Sequence, residues 1–416
     1  MISRRIAAVA ASLAREEPVL ALQGPRTVGK TTLLRAIAAA EGVPVIDLDD
    51  LATREAVAAD PILFVTGPAP VCIDEYQHVP EVLDAIKAEL NRDSSPGRYI
   101  ITGSTRHDAL PRFAQALTGR LHLVTILPFS QGEMDGTREH LVESLFESPV
   151  GLVTPHPSQT TREEYIERVT VGGFPMAVGR SPAARNRWFH SYTTLSLERD
   201  VAEFSRVRQR HALPRLLRRL AGQTAQMLNM AAAGESVGLK ADTAENYTKL
   251  LEAIFLVRRL PAWGKSLRAR AVATPKLHVV DSGLAAWLLR LSPGKLARRN
   301  PTSIQEFGHL FETFVVSEVL KQVSWLDGIS GCGHWRTHDG AEVDLVVERG
   351  DGAIVGLEVK AGSRVMDKDL AGLRILRNEL GEAFVAGAVL YTGRLAYTPD
   401  DRIHVLPADR LWTPVA

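Results

Sequence analysis

Nine consecutive residues, Gly24-Pro25-Arg26-Thr27-Val28-Gly29-Lys30-Thr31-Thr32, set two glycines, a lysine and hydroxyl side chains at the spacing of a phosphate-holding loop. The apolar run Val19–Leu22 precedes them, and a helical run from Lys30 to Ala40 follows. Between a strand and a helix, such glycines turn main-chain N–H groups onto phosphate oxygens, and the helix start adds partial positive charge. Lys30 is then expected to reach the β and γ phosphates of ATP, and the Thr31 hydroxyl to ligate Mg2+. A second constellation, Val71-Cys72-Ile73-Asp74-Glu75, is an apolar strand ending in two carboxylates. Asp74 suits the magnesium-bound water and Glu75 the attacking water, while Ser104, delivered by Tyr99–Thr102, suits a γ-phosphate sensor. Each piece alone is commonplace: a glycine turn, a solvated acidic pair, a turn serine. Their order and separation favour a nucleotide site.

A different chemistry is legible near the other end. Asp344 lies in the strand-like run from Glu342, and Glu358-Val359-Lys360 closes the next one. Residues two apart on a strand share a face, so Glu358 and Lys360 project together, and a hairpin brings Asp344 beside them. Glu312, on the preceding helix, adds a carboxylate. Hard oxygen ligands with a lysine are what magnesium-dependent cleavage of a phosphodiester requires, with Mn2+ as an alternative ion. The competing reading is a structural ion-pair cluster. His309, His334 and His338 have no zinc spacing and read as surface or hairpin histidines.

The elements that must position these groups fall into three stretches. Residues 1–135 alternate short apolar strands (19–22, 44–48, 69–74, 99–102) with helices, the pattern of an α/β doubly wound parallel sheet. Residues 136–295 begin with a weakly periodic Gly/Pro/Ser/Thr linker at 147–161 and become helical. There Arg206, Arg208, Arg210, Arg215, Arg218 and Arg219 form the densest basic run, suited to a phosphate backbone or to a solvated helix face. Two helices and a β-like stretch then follow in winged-helix order, with Asp242 as N-cap of the second helix. That helix would present Thr243, Asn246, Tyr247 and Lys249 to DNA, and the wing Arg258, Arg259, Lys265, Arg268 and Arg270. Such modules also bind proteins. Residues 296–416 give an αβββαβ order, with Asp-Gly turns marking the hairpins.

Composition sets limits on partners and compartment. The chain has 416 residues, 45% hydrophobic and 23% charged, and its net charge of +1 leaves any basic patch to local clustering. Cys72 and Cys332 match neither a disulfide framework nor a zinc site, which fits a reducing compartment. The start, Arg4-Arg5 followed by Ile6–Ala14, imitates a signal peptide but breaks at Arg15-Glu16-Glu17, so a first helix and a cytoplasmic protein are expected, with no membrane span.

Taken together, GPRTVGKTT at Gly24, CIDEYQHVP at Cys72, ITGSTR at Ile101, LTGRLHLVTILPFS at Leu117, GGFP at Gly172, LERD at Leu197 and FETFVVSEV, EVD and EVK toward the end resemble AAA-type ATPases of bacteria and archaea. These join an ATPase module to a winged-helix segment and a C-terminal domain of unassigned function. The resemblance implies a sensor or arginine-finger role for Arg120, with Arg106 as its rival, and hence a homo-oligomer. The C-terminal stretch resembles the restriction-endonuclease-like PD-(D/E)XK superfamily, which implies Glu312, Asp344 and Glu358 as metal ligands and Lys360 as catalytic lysine. The expected function is an ATPase acting on DNA. A nucleotide-dependent regulator with a silent nuclease-like domain, and a small-molecule kinase, are the alternatives.

Overall fold

A computed structural model describes residues 2–106, 117, 119–201, 209–264 and 274–415, with backbone only at 199 and 200. Arg206, Arg208, Lys265, Arg268 and Arg270 of the basic run and wing lie outside the described residues.

The first sheet comprises β1 (Val19–Gln23), β2 (Val45–Asp47), β3 (Val71–Asp74), β4 (Tyr99–Gly103) and β5 (Leu121–Thr125). Its order is β2-β3-β4-β1-β5 and every pairing is parallel. Residues 19–22, β3 and β4 are buried throughout, as strands covered on both faces must be. Because the strands run one way, the residues after β1, β3 and β4 gather along one edge. The fifth strand carries no such anticipated role in the sequence: its side chains are mostly half-exposed, so its apolar signal is weak.

The middle stretch contains helices Arg162–Val171, Pro182–Leu195 and Leu213–Ala221, then β6 (Gln226–Met227), helices Met230–Glu235 and Ala241–Ala253, β7 (Val257–Leu260) and β8 (Lys276–Val279). The three strands form an antiparallel sheet in the order β6-β8-β7. Lys240, not Asp242, is the N-cap of Ala241–Ala253; Asp242 sits in the first turn, where its charge favours the helix dipole without capping.

The last stretch opens with the helix Pro301–Ser324, capped by Asn300, whose side chain accepts from Ser303 N–H, and begun by Pro301 at the first position. Strands β9 (Ile329–Arg336), β10 (Glu342–Arg349) and β11 (Ile354–Lys360) pair antiparallel, turning at Gly340 and Gly352 with φ of 91° and 87°. After the helix Ala371–Leu380, β12 (Phe384–Tyr391) pairs parallel to β11. Two further strands, β13 (Tyr397–Asp400) and β14 (Ile403–Pro407), extend the sheet to β13-β14-β12-β11-β10-β9.

The three stretches share one core. Leu34, Leu145, Tyr165, Phe311 and Leu357 belong to a single buried cluster, and Tyr165 meets Phe311 and Trp412 edge-on at 5.6 and 5.9 Å. The segment at 147–161, expected as a linker, is anchored: Ser158 N–H donates to Arg394 O at 2.8 Å, and Thr160 Oγ1 to Asp409 Oδ2 at 2.9 Å. Its polar composition reflects side-chain pairing with the last sheet. Among the described residues, no helix is long and apolar enough to cross a membrane.

Candidate functional site

The shared edge of the first sheet assembles the loop, the carboxylates and the serine. Gly24 leaves β1 at a φ of 149°, and a Cβ there would lie 2.2 Å from Ile126 O, so only glycine fits against β5. Thr27 and Gly29 take positive φ, 64° and 99°, which curls residues 24–29 over the start of the helix Lys30–Glu41. Pro25 and Val28 are buried; Arg26, Thr31 and Thr32 are at least partly accessible. Lys30 is buried, and its Nζ donates to Gly24 O at 3.0 Å and Pro25 O at 2.9 Å, which holds the ammonium inside the loop. Arg4, missed in the sequence, braces the loop from outside: Nη1 donates to Val28 O at 2.8 Å and Nη2 to Leu127 O at 2.5 Å.

Asp74 and Glu75 are both buried. Burial raises the Asp74 carboxyl above its ordinary range, opposed by hydrogen bonds from Thr102 and Thr31. The Thr31 contact sets a hydroxyl beside a buried carboxylate at the mouth of the loop. That donor set fits a magnesium ion carried by a nucleotide, held through Thr31 and an Asp74-bound water. Glu75 turns through φ 52°, with its N–H donating to Thr102 Oγ1 at 3.2 Å. Burial works against ionising Glu75, yet Lys30, Gln77 and Arg26 outweigh it and hold the carboxyl below its ordinary range. Gln77 supplies a link that sequence reading did not find: its Nε2 donates to Glu75 Oε2 and, at 3.1 Å, to Ser104 Oγ. Glu75 and Ser104 are therefore parts of one network. The only sequence signal is a polar residue two places after a strand-end carboxylate, a pattern too common to be read alone.

The two arginines part company. Arg120 precedes β5, whose start pairs with the start of β1, and its Nη1 donates to Asn91 Oδ1 at 2.8 Å. It stands at the sheet edge opposite the loop and cannot sense the γ phosphate of its own chain. Arg106 follows Ser104 by two residues; its N–H donates to Ala253 O at 2.9 Å and its guanidinium lies 5.2 Å from the Phe255 ring centre. The strand-end serine thus continues directly into the middle stretch.

Within that stretch the expected DNA-facing residues divide. Arg215, Arg218 and Arg219 are exposed on the helix Leu213–Ala221, opposite its buried leucines, and Asn246 and Lys249 are exposed on Ala241–Ala253. Tyr247 is buried, its hydroxyl accepting from Gln209 N–H at 3.2 Å, because it falls on the core side of the helix. Arg258 is half-buried, and burial, with Arg106 nearby, pushes its guanidinium down to about 10. Arg259 is clamped by Glu245 at 2.8 Å and Glu252 at 3.2 Å. Tyr247 thus faces the core, and Arg258 and Arg259 are half-buried, Arg259 within ion pairs.

The second constellation does meet, but around a cation that the sequence reading did not include. Lys276 Nζ, from β8, lies 2.7 Å from Asp344 Oδ1, 2.9 Å from Glu312 Oε1 and 3.4 Å from Glu342 Oε1. Asp344 Oδ2 accepts from Val359 N–H at 2.9 Å, and Lys360 Nζ donates to Glu358 Oε1 at 2.6 Å. Burial opposes ionisation of Asp344, but Lys276 overrides it and keeps the carboxylate charged; Glu312 and Glu358 are raised, by burial first and then by Asp344. An ammonium at this position does not fit Glu312, Asp344 and Glu358 as ligands of a divalent ion. Among the described residues, no group of three or more His, Cys, Asp or Glu is placed to hold a metal. His334 is also not a surface residue: it is buried, with its ring nitrogen 3.1 Å from Thr274 O.

Two motifs of the resemblance prove to be a joint. Phe129 N–H donates to Gly173 O at 2.8 Å, and Gly173 N–H donates to Asp281 Oδ2 at 2.7 Å. A Cβ on Gly173 would meet Phe129 O at 2.2 Å. These residues fasten the first stretch to the second and carry no chemistry of their own.

Comparison with known proteins finds a family match over the first stretch. Residues 16–135 match a family model described as an AAA domain. Over these residues the chain is similar to AAA domains. Residues 162–295 and 307–411 match two models, each described as a domain of unknown function (DUF8612 and DUF4143). Uncharacterized proteins of Mycobacterium bovis and Mycobacterium tuberculosis are each 28% identical over 423 residues, covering 99% of this chain and 85% of their own length. Among solved structures, a Walker-type ATPase of Pyrococcus abyssi aligns at 16% identity and a TM-score of 0.39, covering 69% of this chain and 96% of its own. The RuvB Holliday junction branch migration motor of Thermotoga maritima aligns at 18% identity and a TM-score of 0.28, covering 62% and 90%.

Proposed function

We propose that the chain is a magnesium-dependent ATPase whose nucleotide state is passed to a DNA-contacting middle domain, while the C-terminal domain rests as a closed, nuclease-like module. The contact that carries this reading is Arg106 N–H to Ala253 O, two residues beyond Ser104. It ties the serine nearest the γ phosphate to the end of the Ala241–Ala253 helix, the second helix of the winged-helix order. When nucleotide is bound, loop amides, Lys30 and Thr31 hold the phosphates, Glu75 orients water, and Gln77 holds Glu75 and Ser104 in register.

Exposed Arg215, Arg218 and Arg219 have no ion pair among the described residues and supply the surface for a phosphate backbone. Homo-oligomerisation remains part of the proposal, because Arg120, unable to act within its own chain, is free to act on a neighbour's nucleotide. The αβββαβ order with Asp344, Glu358 and Lys360 supports the nuclease-like reading of the last domain. The Lys276 contact favours its being silent at rest, the regulatory alternative.

ATP turnover by purified protein, with and without duplex DNA, tests the proposal. Turnover is expected with magnesium, to be lost in Lys30→Ala and Glu75→Gln, and to change on adding DNA; an ATPase indifferent to DNA, with no salt-dependent DNA binding, removes the DNA half. Absence of adenine-nucleotide binding at millimolar ligand removes the whole.

A further inference from the structure

The glycine-rich turn is held from its outer side by a residue that precedes the first helix, Ile6–Glu16. Arg4 spreads its guanidinium over three acceptors: Nη1 donates to Val28 O at 2.8 Å, Nη2 to Leu127 O at 2.5 Å and Nε to Glu133 Oε1 at 3.2 Å. The group lies 4.8 Å from the centre of the Phe129 ring, and its side chain is only 13% exposed. Glu133 is fixed in turn, Oε1 accepting also from Arg5 N–H at 2.7 Å and Oε2 from Ser130 N–H at 3.0 Å. A planar fork with these three anchors has one orientation. Val28 lies just before the N-cap Gly29, whose own carbonyl accepts from Leu33 N–H at 3.0 Å to begin the helix. Its neighbours Thr27 and Gly29 have φ of 64° and 99°. Because glycine has many conformations open to it, the Val28–Gly29 peptide is the part of the turn that its own backbone fixes least.

We propose that Arg4 is a positioning residue for the phosphate site: it sets the Val28–Gly29 peptide so that Gly29 N–H is aimed at the β phosphate before nucleotide arrives. That peptide is planar and trans, with its C=O and N–H pointing opposite ways. A carbonyl held toward Arg4 therefore turns Gly29 N–H to the other side. The opposite end of the turn rests on the same wall, since a Cβ on Gly24 would lie 2.2 Å from Ile126 O, one residue before Leu127. Arg4 thus ties the end of the turn to the segment that already receives its start, and the donors are placed before the ligand binds. The inference rests on the nucleotide reading of residues 24–31 and adds to it a residue outside the loop motif. Because the effect passes through one main-chain donor, it falls on the β phosphate and leaves the adenosine and α phosphate untouched.

The test is the ratio of AMP to ADP dissociation constants for the full-length protein, with ADP measured by calorimetry and AMP by its displacement of ADP. Arg4→Met keeps an unbranched side chain against Phe129 and removes every donor. It is expected to lose about tenfold in ADP affinity, the scale of one hydrogen bond to a charged oxygen, with AMP affinity unchanged, so that the ratio falls about tenfold. A general loosening of the fold weakens both nucleotides alike. An unchanged ratio in folded Arg4→Met therefore overturns the proposal while leaving the nucleotide reading intact. If Arg4→Met does not fold, Arg4→Lys decides, because a single ammonium cannot reproduce the fork to Val28, Leu127 and Glu133. A reduced ratio in that variant supports the proposal, and a wild-type ratio overturns it. Absence of ADP binding to wild type removes the nucleotide reading, and this inference with it.

Discussion

Replacing Gln77 by leucine isolates the network that joins Glu75 to Ser104. The amide donates to a buried carboxylate and to a buried hydroxyl. A hydrogen bond to a charged group contributes about 1.5–3 kcal/mol. If that contribution serves to orient Glu75 toward water, kcat for ATP falls by about 10- to 100-fold, at roughly 1.4 kcal/mol per factor of ten. Nucleotide affinity should stay near that of wild type. Glu75 lies below its ordinary range because Lys30, Gln77 and Arg26 outweigh burial. Without Gln77 that balance shifts toward burial, and the Glu75 pKa rises.

The sign follows directly. Glu75 acts as a carboxylate, so the rate is lost as pH falls through its pKa, and raising that pKa moves the acid limb of kcat to higher pH. The assay is kcat against pH for wild type and Gln77→Leu at saturating ATP, with nucleotide Kd measured beside it. A uniform fall in kcat with an unmoved acid limb, or a fall explained by weaker nucleotide binding, refutes the assignment of Gln77 as a positioning residue for Glu75.

Arg215→Ala and Arg218→Ala should each weaken DNA binding and reduce its salt slope by about 1, whereas Arg259→Ala, which breaks pairs to Glu245 and Glu252, should leave the slope unchanged. Gly173→Ala should destabilise by about 1–3 kcal/mol or more, read as a lower Tm, because its methyl would sit 2.2 Å from Phe129 O. Arg106→Ala retains the backbone bond to Ala253 but removes the guanidinium from Phe255; basal ATP turnover should persist while its response to DNA shrinks. A full DNA response in that variant would show that the signal takes another route.

What the sequence made legible was chemistry confined to one turn or one strand. Gly24–Thr31, Asp74-Glu75 and Ser104 are each local, and a parallel sheet is bound to bring strand ends together once the strands are recognised. Which end of β5 Arg120 occupies, and hence whether it could serve as a sensor in its own chain, was not legible, because that strand has a weak apolar signal. Tyr247 lies on a helix whose inward and outward sides both carry polar side chains, so periodicity did not separate it from Asn246 and Lys249. Lys276 was invisible for a deeper reason: its partners are 36 and 68 residues away, one on the helix Pro301–Ser324 and one on another sheet, and one lysine in a basic segment looks solvated. Long-range pairing of charges leaves no local pattern.

The distribution of contacts also decides where nucleotide-driven motion can occur. Between the first and last stretches the seam is buried and ionic: Lys321 Nζ donates to Phe129 O at 2.9 Å, Gln131 N–H to Glu318 Oε2 at 2.8 Å, and Val142 N–H to Gln322 Oε1 at 3.2 Å. Separating it would take from buried Glu318 the Gln131 N–H bond that, with Lys321, opposes the upward push of burial on its carboxyl. Beside Ser104, by contrast, Arg106 meets the middle stretch through a backbone hydrogen bond and a cation–π contact. Such a link breaks and reforms at the scale of a few kcal/mol that one phosphate contact can supply, whereas the buried seam does not. Movement set off at the γ phosphate should therefore pass first into the Ala241–Ala253 helix and β7, whose Leu260 pairs with Lys276, with the first and last stretches moving as one body.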